Sequence, residues 1–188
     1  MPWLGDALCD RCGLPSPCGV PCPAGRWVFS SAWAPLDYAG PVVTLIRALK
    51  ERGARPVAEL MAATMVARAP ARVLMSEAVL VPVPADPWRR RVRGIDHAAV
   101  LAEAVARRSG LHAASVLRRQ HSGRQAGQGR TGRIADGPTV HAHGVAVGQP
   151  VVLVDDVHTT GATLNAAALA LKASGAGPIV CLTFGRSI

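Results

Sequence analysis

The sequence predicts an α/β fold in which helices flank a mainly parallel sheet, with a small cysteine-based knuckle at the N-terminus. Apolar runs at 78–83, 151–154 and 179–184 lack the polar alternation of a half-exposed strand, so strands covered on both faces are expected. Helical patterns separate these runs, and such alternation favours a parallel sheet. Four of the five cysteines fall within residues 9–22.

The helices follow from apolar spacing and from residues that begin or end a helix. They are predicted to cover 41–52, 56–68, 95–108 and 164–174. Gly53 and Gly110 follow two of these segments, and glycine is the usual residue just beyond a helix end. Pro56 opens the second segment, where proline is favoured.

Length and composition indicate one α/β domain with a small appendage. The chain has 188 residues, of which 49% are apolar, enough to bury a core. We assign residues 1–36 to the knuckle and a linker, and 37–188 to the main domain. No run approaches the roughly 18 apolar residues that a membrane helix needs, and no secretory signal is recognisable. The sequence therefore predicts a cytoplasmic protein without membrane insertion.

The basic residues are almost all arginine. The formal net charge is +9, and lysine occurs only at positions 50 and 172. Arginines concentrate between 89 and 133, where the acids are only Asp96 and Glu103. Arginine favours bidentate contact with phosphate, so this cluster indicates an anionic partner, either a pyrophosphate-bearing small molecule or nucleic acid. A compositional bias towards Ala, Gly, Pro and Arg is the alternative explanation of the net charge.

The N-terminal cysteines have the spacing of a metal knuckle. They are Cys9, Cys12, Cys18 and Cys22, separated by Gly, Pro and Ser. A segment with so few core-forming residues needs disulfides or a bound metal ion to stabilise its fold. In a reducing compartment four thiolates favour tetrahedral zinc over disulfides, so we predict a structural zinc site. Reduced cysteines without a metal are the alternative.

Residues 151–163 combine an apolar strand, two adjacent carboxylates and a Thr/Gly-rich turn. Asp155 and Asp156 repel each other, so a cation or hydroxyl groups should lie between them. A phosphate in the turn would meet the positive end of the following helix. A ribose diol, a magnesium ion and a 5′-phosphate would together satisfy these groups. An ordinary strand, turn and helix is the alternative. The turn residues are Thr159, Thr160, Gly161, Ala162 and Thr163.

This segment resembles the 13-residue signature of phosphoribosyltransferases. The resemblance implies that Asp155 and Asp156 contact the ribose hydroxyls of phosphoribosyl pyrophosphate (PRPP), as the catalytic pair. It also implies that the turn of residues 159–163 holds the 5′-phosphate of PRPP, with magnesium bound alongside.

Further segments, in the same order along the chain, resemble the ComF family. They are the four-cysteine knuckle, Tyr38-Ala-Gly40, Leu49-Lys50 with Gly53, Val81-Pro-Val-Pro84, Arg93-Gly94, and Gln125 with Gly127, Arg130 and Arg133. The resemblance covers nearly the whole chain. It implies a domain of the type I phosphoribosyltransferase kind with an N-terminal zinc knuckle, in a cytoplasmic protein associated with competence and DNA uptake.

The resemblance also implies how pyrophosphate would be held. Arg93, Arg130 and Arg133 are candidates for its binding, and the Gly-rich segment 122–137 is expected to close over it. A solvated loop is the alternative for that segment. The chain departs from the family at 93–97, which reads Arg-Gly-Ile-Asp-His where the family usually has Arg-Gly-Phe-Asn-Gln.

Two main functions follow from these patterns. The first is a phosphoribosyltransferase-like protein that binds PRPP and magnesium, with transfer of the phosphoribosyl group to an acceptor of unknown identity. The second is a non-catalytic accessory that processes single-stranded DNA, or a nucleotide sensor, on the same fold. A weaker third is a protein–protein adaptor that docks DNA-uptake proteins through the knuckle.

Overall fold

Strands and helices alternate in the computed structural model, which describes residues 4, 7–88, 91, 94–120 and 138–188. The helices are α1 Pro41–Arg52, α2 Arg55–Arg68, α3 His97–Ser109 and α4 Ala162–Ala173. The strands are β1 Ser31–Trp33, β2 Leu36–Asp37, β3 Val79–Pro82, β4 His112–Ala113, β5 Leu117–Arg119, β6 Val140–Ala142, β7 Val151–His158 and β8 Ile179–Arg186.

Within the described residues the main sheet has the strand order β1-β8-β7-β3-β4, and β2 also pairs with β8. All of these pairings are parallel. The predicted α/β class with a mainly parallel sheet is therefore confirmed. β5 and β6 form a separate antiparallel pair. Because β3 and β7 are parallel neighbours, with Pro82 opposite Val154, their carboxyl ends open on the same edge of the sheet.

Two apolar layers cover the sheet, one on each face. Val152 and Val154 of β7 belong to the layer that contains α1, α2 and α3, whereas Val151 and Leu153 belong to the layer that contains α4. Successive strand residues point to opposite faces, so a strand buried on both sides needs an unbroken apolar run. This explains the pattern at 151–154.

Two of the predicted helix ends are confirmed, and the helix starts differ slightly. Gly53 and Gly110 follow α1 and α3 in the left-handed conformation, with φ of 55° and 74°. The third helix begins at His97 rather than at 95 because the Asp96 side chain accepts a hydrogen bond from the Ala99 N–H at 3.3 Å. A carboxylate in that position caps a helix N-terminus.

β7 is longer than its apolar run. It continues through both carboxylates to His158 because β8 offers a partner along this whole length. The register places Asp155 opposite Thr183 and His158 opposite Arg186. The acidic pair therefore lies within the strand rather than after it, and the sheet holds its backbone rigidly.

The segment after the cysteines contributes strands to the main sheet. Ser31 lies opposite Val180, and Leu36 lies opposite Gly185. Both strands are too short to give a sequence pattern. The loop predicted at 122–137 lies outside the described residues. None of the helices in the described ranges combines the length and apolar character that crossing a membrane requires.

Candidate functional site

A cavity of about 430 Å³ opens at the carboxyl ends of β3 and β7. Asp155, Asp156, Thr159 and Thr163 line it together with Lys50 from α1. In open parallel sheets this edge is where ligands bind. The predicted acidic pair and two threonines of the predicted turn therefore face a single cavity.

A second cavity, of about 720 Å³, adjoins the first. Pro84, Ala85 and Arg119 line both, so the two form one continuous cleft. Arg91 and Arg118 add positive charge to the second cavity. The cleft thus has an acidic end and a basic end, which suits a ligand that carries both hydroxyl groups and phosphates.

Asp155 and Asp156 occupy consecutive positions of β7 and differ in burial. Asp156 is 2% exposed, whereas Asp155 is half-buried and accepts a hydrogen bond from the Asp156 N–H at 2.8 Å. Burial and the neighbouring Asp156 carboxylate raise the pKa of Asp155 well above its usual value. A ligand that brings positive charge or hydroxyl donors would favour the ionised form of Asp155.

Two basic side chains from different helices approach Asp156. Lys50 Nζ lies 2.8 Å from Asp156 Oδ2, and His97 Nε2 lies 3.5 Å from the same oxygen. Lys50 is in the last turn of α1, and His97 is the first residue of α3. The Lys50 ammonium therefore forms an ion pair with Asp156, and Oδ2 accepts no further hydrogen bond among the described residues.

The turn between β7 and α4 has the open helix end that a phosphate needs. Thr159 and Thr160 are exposed, and α4 begins immediately after Gly161. Thr160 Oγ1 accepts a hydrogen bond from the Ala162 N–H at 3.4 Å. The first backbone N–H groups of a helix have no partner within it and carry positive partial charge, so they can bind an anion at this turn.

Gly161 has little room for any side chain. Its φ is 81°, and a Cβ there would lie 2.5 Å from Trp27 Cη2 and 2.9 Å from His158 Nε2. Both the backbone conformation and the close approach therefore require glycine. Trp27, which the sequence placed between the knuckle and the main domain, thus forms part of the support under the turn.

His158 is buried below the turn. Its ring lies 5.3 Å from that of Trp27 and 6.3 Å from that of Phe29. Burial, together with the nearby Arg186 charge, lowers the pKa of His158 to about 3. The imidazole is therefore neutral at pH 7, and its buried Nε2 has no hydrogen-bond partner among the described residues.

Arg186 joins the turn to the cysteine segment. Its Nη1 donates hydrogen bonds to the carbonyls of His158 at 2.8 Å and Thr159 at 2.6 Å. Its Nε donates to the carbonyl of Cys12 at 3.2 Å. The side chain is 4% exposed, so these carbonyls have a charged donor where water has little access.

The four N-terminal cysteines lie close enough together to bind one metal ion. Their Sγ atoms are all within 4.8 Å of one another, and those of Cys9 and Cys22 are 4.0 Å apart. Sulfurs around a tetrahedral zinc at about 2.3 Å are separated by about 3.8 Å. Burial opposes ionisation of Cys9, but hydrogen bonds from the backbone of Cys12 and Arg11 and from the Cys18 thiol lower its pKa to about 7. Burial instead raises the pKa of the Cys12 thiol to about 12, so a metal ion would have to displace the proton of that ligand.

The structure thus brings most of the predicted site residues into two groups. The cysteines form one; Asp155, Asp156, Thr159 and Thr163 form the other. Thr160 is exposed on the turn, Gly161 is buried below it, and Ala162 is the first residue of α4. The predicted pyrophosphate residues Arg93, Arg130 and Arg133 lie outside the described residues.

Sequence reasoning gave no role in the site to Lys50, His97 or Arg186. Lys50 had one usable signal, since it is one of two lysines in an arginine-rich chain. His97 had no signal that pointed to the site, and only its proximity to Asp156 in the structure places it there. Arg186 had no signal, because one arginine after an apolar strand is ordinary.

A scan of the chain against protein-family models found no match, and a search among curated proteins found none either. Fold and site define the class: an α/β protein with a carboxylate pair and a Thr/Gly turn at one cleft, and a four-cysteine cluster joined to that turn through Arg186.

Proposed function

We propose that the protein is a PRPP-binding, magnesium-dependent protein of the phosphoribosyltransferase type, in a ComF-like competence context. One observation carries the proposal: the carboxylate pair and the Thr/Gly turn line the same cavity at the end of β7. A ribose 5-phosphate needs these two groups of partners side by side, because its phosphate and its diol are joined by a single short sugar.

Each part of PRPP has a complementary part of the cleft. The 5′-phosphate would bind at the turn formed by Thr159, Thr160 and Gly161, and the ribose hydroxyls would donate to Asp155 and Asp156. The pyrophosphate would extend towards the basic cavity, where Arg118 and Arg119 are already in place. Arg93, Arg130 and Arg133 remain candidates for the same group.

If transfer occurs, an acceptor nitrogen forms a bond to ribose C1 while the bond from C1 to the pyrophosphate oxygen breaks, and its electron pair leaves with pyrophosphate. Positive charge develops on the sugar. Asp155 and Asp156 would stabilise that charge and orient the ring, and the arginines would stabilise the departing anion. Bound magnesium would supply further neutralisation of the phosphates. The carboxylate oxygens are ligands of the kind that magnesium prefers.

The cysteine cluster supports a structural rather than a reactive role for zinc. Cys9, Cys12, Cys18 and Cys22 would fill all four positions of a tetrahedral ion, which leaves none for a substrate. Such an ion would hold in one conformation a segment that has few buried side chains. The hydrogen bond from Arg186 to the Cys12 carbonyl would connect that segment to the turn beside the cleft.

One observation favours the alternative of a single-stranded-DNA accessory in a cytoplasmic uptake pathway. Trp88 is 62% exposed and lies three positions before Arg91, which lines the basic cavity. An exposed aromatic ring beside basic residues can stack on a base while the cations contact the backbone. Such binding would weaken steeply with salt.

Calorimetric titration of the zinc-loaded protein with PRPP and magnesium tests the proposal. Wild type should bind in the micromolar range, and only with magnesium present. Asp155→Asn should abolish binding, while Glu103→Gln, which alters an exposed carboxylate on α3, should not. If a folded, zinc-loaded wild type fails to bind PRPP, the proposal is wrong. Salt-sensitive single-stranded-DNA binding that survives Asp155→Asn would then support the accessory.

A further inference from the structure

Three potential metal ligands from two elements converge at the acidic end of the cleft. One ligand atom from each of His97, Asp155 and Asp156 lies within 4.8 Å of the others. His97 is held at this point by the start of α3, where the Asp96 cap sets the first turn. The two carboxylates are held by β7. Both supports are regular secondary structure, so the three groups are positioned before any ligand binds.

The spacing suits ligands that share a cation. His97 Nε2 and Asp156 Oδ2 are 3.5 Å apart, which is longer than an ordinary hydrogen bond. Two ligands that bind one metal ion at about 2.1 Å each lie about 3.0 to 3.5 Å apart. Asp156 Oδ2 is also a buried oxygen without a hydrogen-bond partner among the described residues. Its ion pair with the Lys50 ammonium at 2.8 Å offsets part of the cost of burial, and a metal ion could take the place of that ammonium.

We propose that His97, Asp155 and Asp156 form a divalent-cation site that prefers manganese(II) to magnesium(II). The inference rests on the proposed function only for its setting, since the same carboxylates would face the ribose. It assigns to His97, which the PRPP proposal does not use, the part of a direct metal ligand.

The preference for manganese follows from the chemistry of the three donors. Magnesium takes oxygen ligands almost exclusively and holds several waters in a strict octahedron. Imidazole suits first-row transition metals, and affinity for a mixed nitrogen and oxygen site rises from manganese to the later members of the series. The later, softer ions have a stronger site in the four cysteines. Manganese remains as an ion that accepts both the imidazole and the two carboxylates.

Lys50 provides a second, independent consequence of the geometry. Its ammonium lies 2.8 Å from Asp156 Oδ2, and its side chain is 27% exposed, so it can swing towards solvent. An ammonium and a metal ion cannot both stay against one oxygen without strong repulsion. Lys50 should therefore compete with the cation, and removal of its charge should strengthen metal binding.

The test is a manganese titration of the full, zinc-loaded chain without PRPP, with free manganese measured by electron paramagnetic resonance. His97→Gln keeps a polar side chain of similar length but replaces the imidazole. We expect it to weaken manganese binding by about tenfold or more and to change magnesium competition little. His143→Gln, at an exposed histidine, should leave manganese binding unchanged. Equal manganese affinity in wild type and His97→Gln would overturn the proposal.

Lys50→Gln tests the same site through an increase in manganese affinity, and a misfolded variant would not show such an increase. We expect manganese to bind about threefold to tenfold more tightly than in wild type. No tightening would contradict Asp156 as a ligand and so overturn the proposal.

The inference and the PRPP proposal fail in different ways. If PRPP binding depends on Asp155 but manganese affinity is the same with and without His97, the proposed function is supported and the manganese site is contradicted. Manganese binding that depends on His97, in a protein that does not bind PRPP, would do the reverse.

Discussion

Arg186 and Cys12 are joined by a hydrogen bond of 3.2 Å from the guanidinium Nε to the Cys12 carbonyl. The same guanidinium donates hydrogen bonds to the carbonyls of His158 and Thr159 at the start of the Thr/Gly turn between β7 and α4. One buried side chain therefore connects a cysteine of the cluster to the turn. The cysteine segment is thus tied to the turn that borders the cleft.

Arg186→Met should destabilise the protein, because the carbonyls of Cys12 and Thr159 lose their charged donor and the carbonyl of His158 keeps only its bond from the Ser187 N–H among those described. We expect the free energy of unfolding to fall by about 2 to 4 kcal/mol in urea titrations. Arg107→Met is the matched control, since Arg107 is exposed and pairs with Glu59 on the surface. Its loss should cost at most about 1 kcal/mol. Similar losses in both variants would contradict the bridging role of Arg186.

Gly161→Ala should distort the turn. The new Cβ would overlap the side chains of Trp27 and His158. We therefore expect the free energy of unfolding to fall by about 2 to 4 kcal/mol and PRPP binding to weaken. Gly110→Ala has a similar φ of 74° but meets nothing within 4 Å. It should cost about 1 kcal/mol. The two variants share the cost of a positive φ, so the difference between their free energies of unfolding, taken from melting curves, measures the cost of the steric overlap at Gly161.

His158 should make the fold sensitive to acid. Its pKa is lowered from 6.5 to about 3 in the folded protein, so the unfolded chain binds more protons between these values, and stability falls as the pH drops below about 6.5. The expected loss from this group is about 2 kcal/mol at pH 5. Urea titrations at pH 7 and pH 5 give the loss of unfolding free energy on acidification, and in His158→Phe this loss should be smaller by the contribution of the histidine. His112→Gln, at an exposed position, should retain it.

Asp155→Asn and Asp156→Asn should both abolish PRPP binding but change stability in opposite directions. The raised pKa of Asp155 shows that its charge is unfavourable in the fold, so the neutral amide should raise Tm at pH 7. Asp156→Asn removes the partner of Lys50 and should lower Tm. A lower Tm for Asp155→Asn would contradict the repulsion between the two carboxylates.

The central strands of the sheet could be predicted from the sequence because a strand buried on both faces is apolar at every position. The run at 151–154 is apolar at every position, and each of those residues is fully buried. The glycines at 53 and 110 marked helix ends for an equally local reason. β1 and β2 were not predicted because two or three residues carry no periodicity.

The cleft was predicted only where its residues are consecutive. Asp155, Asp156 and the turn that follows form one stretch of chain, so their proximity needs no tertiary information. Lys50 and His97 reach Asp156 from other helices, and their approach depends on how α1 and α3 pack over β7. The cysteines are again close in sequence, and their grouping was predictable from spacing alone.

The pairing of β1 with β8 has a consequence for the order of folding. Ser31 and Val180 are neighbours in the sheet although most of the chain separates them. Contacts between residues so distant in sequence are slow to form. During synthesis the strand that follows the cysteines has no partner until residues 179–186 have emerged. The edge of the sheet beside the cysteine cluster should therefore be among the last parts to form, after β3 and β7 can already have met.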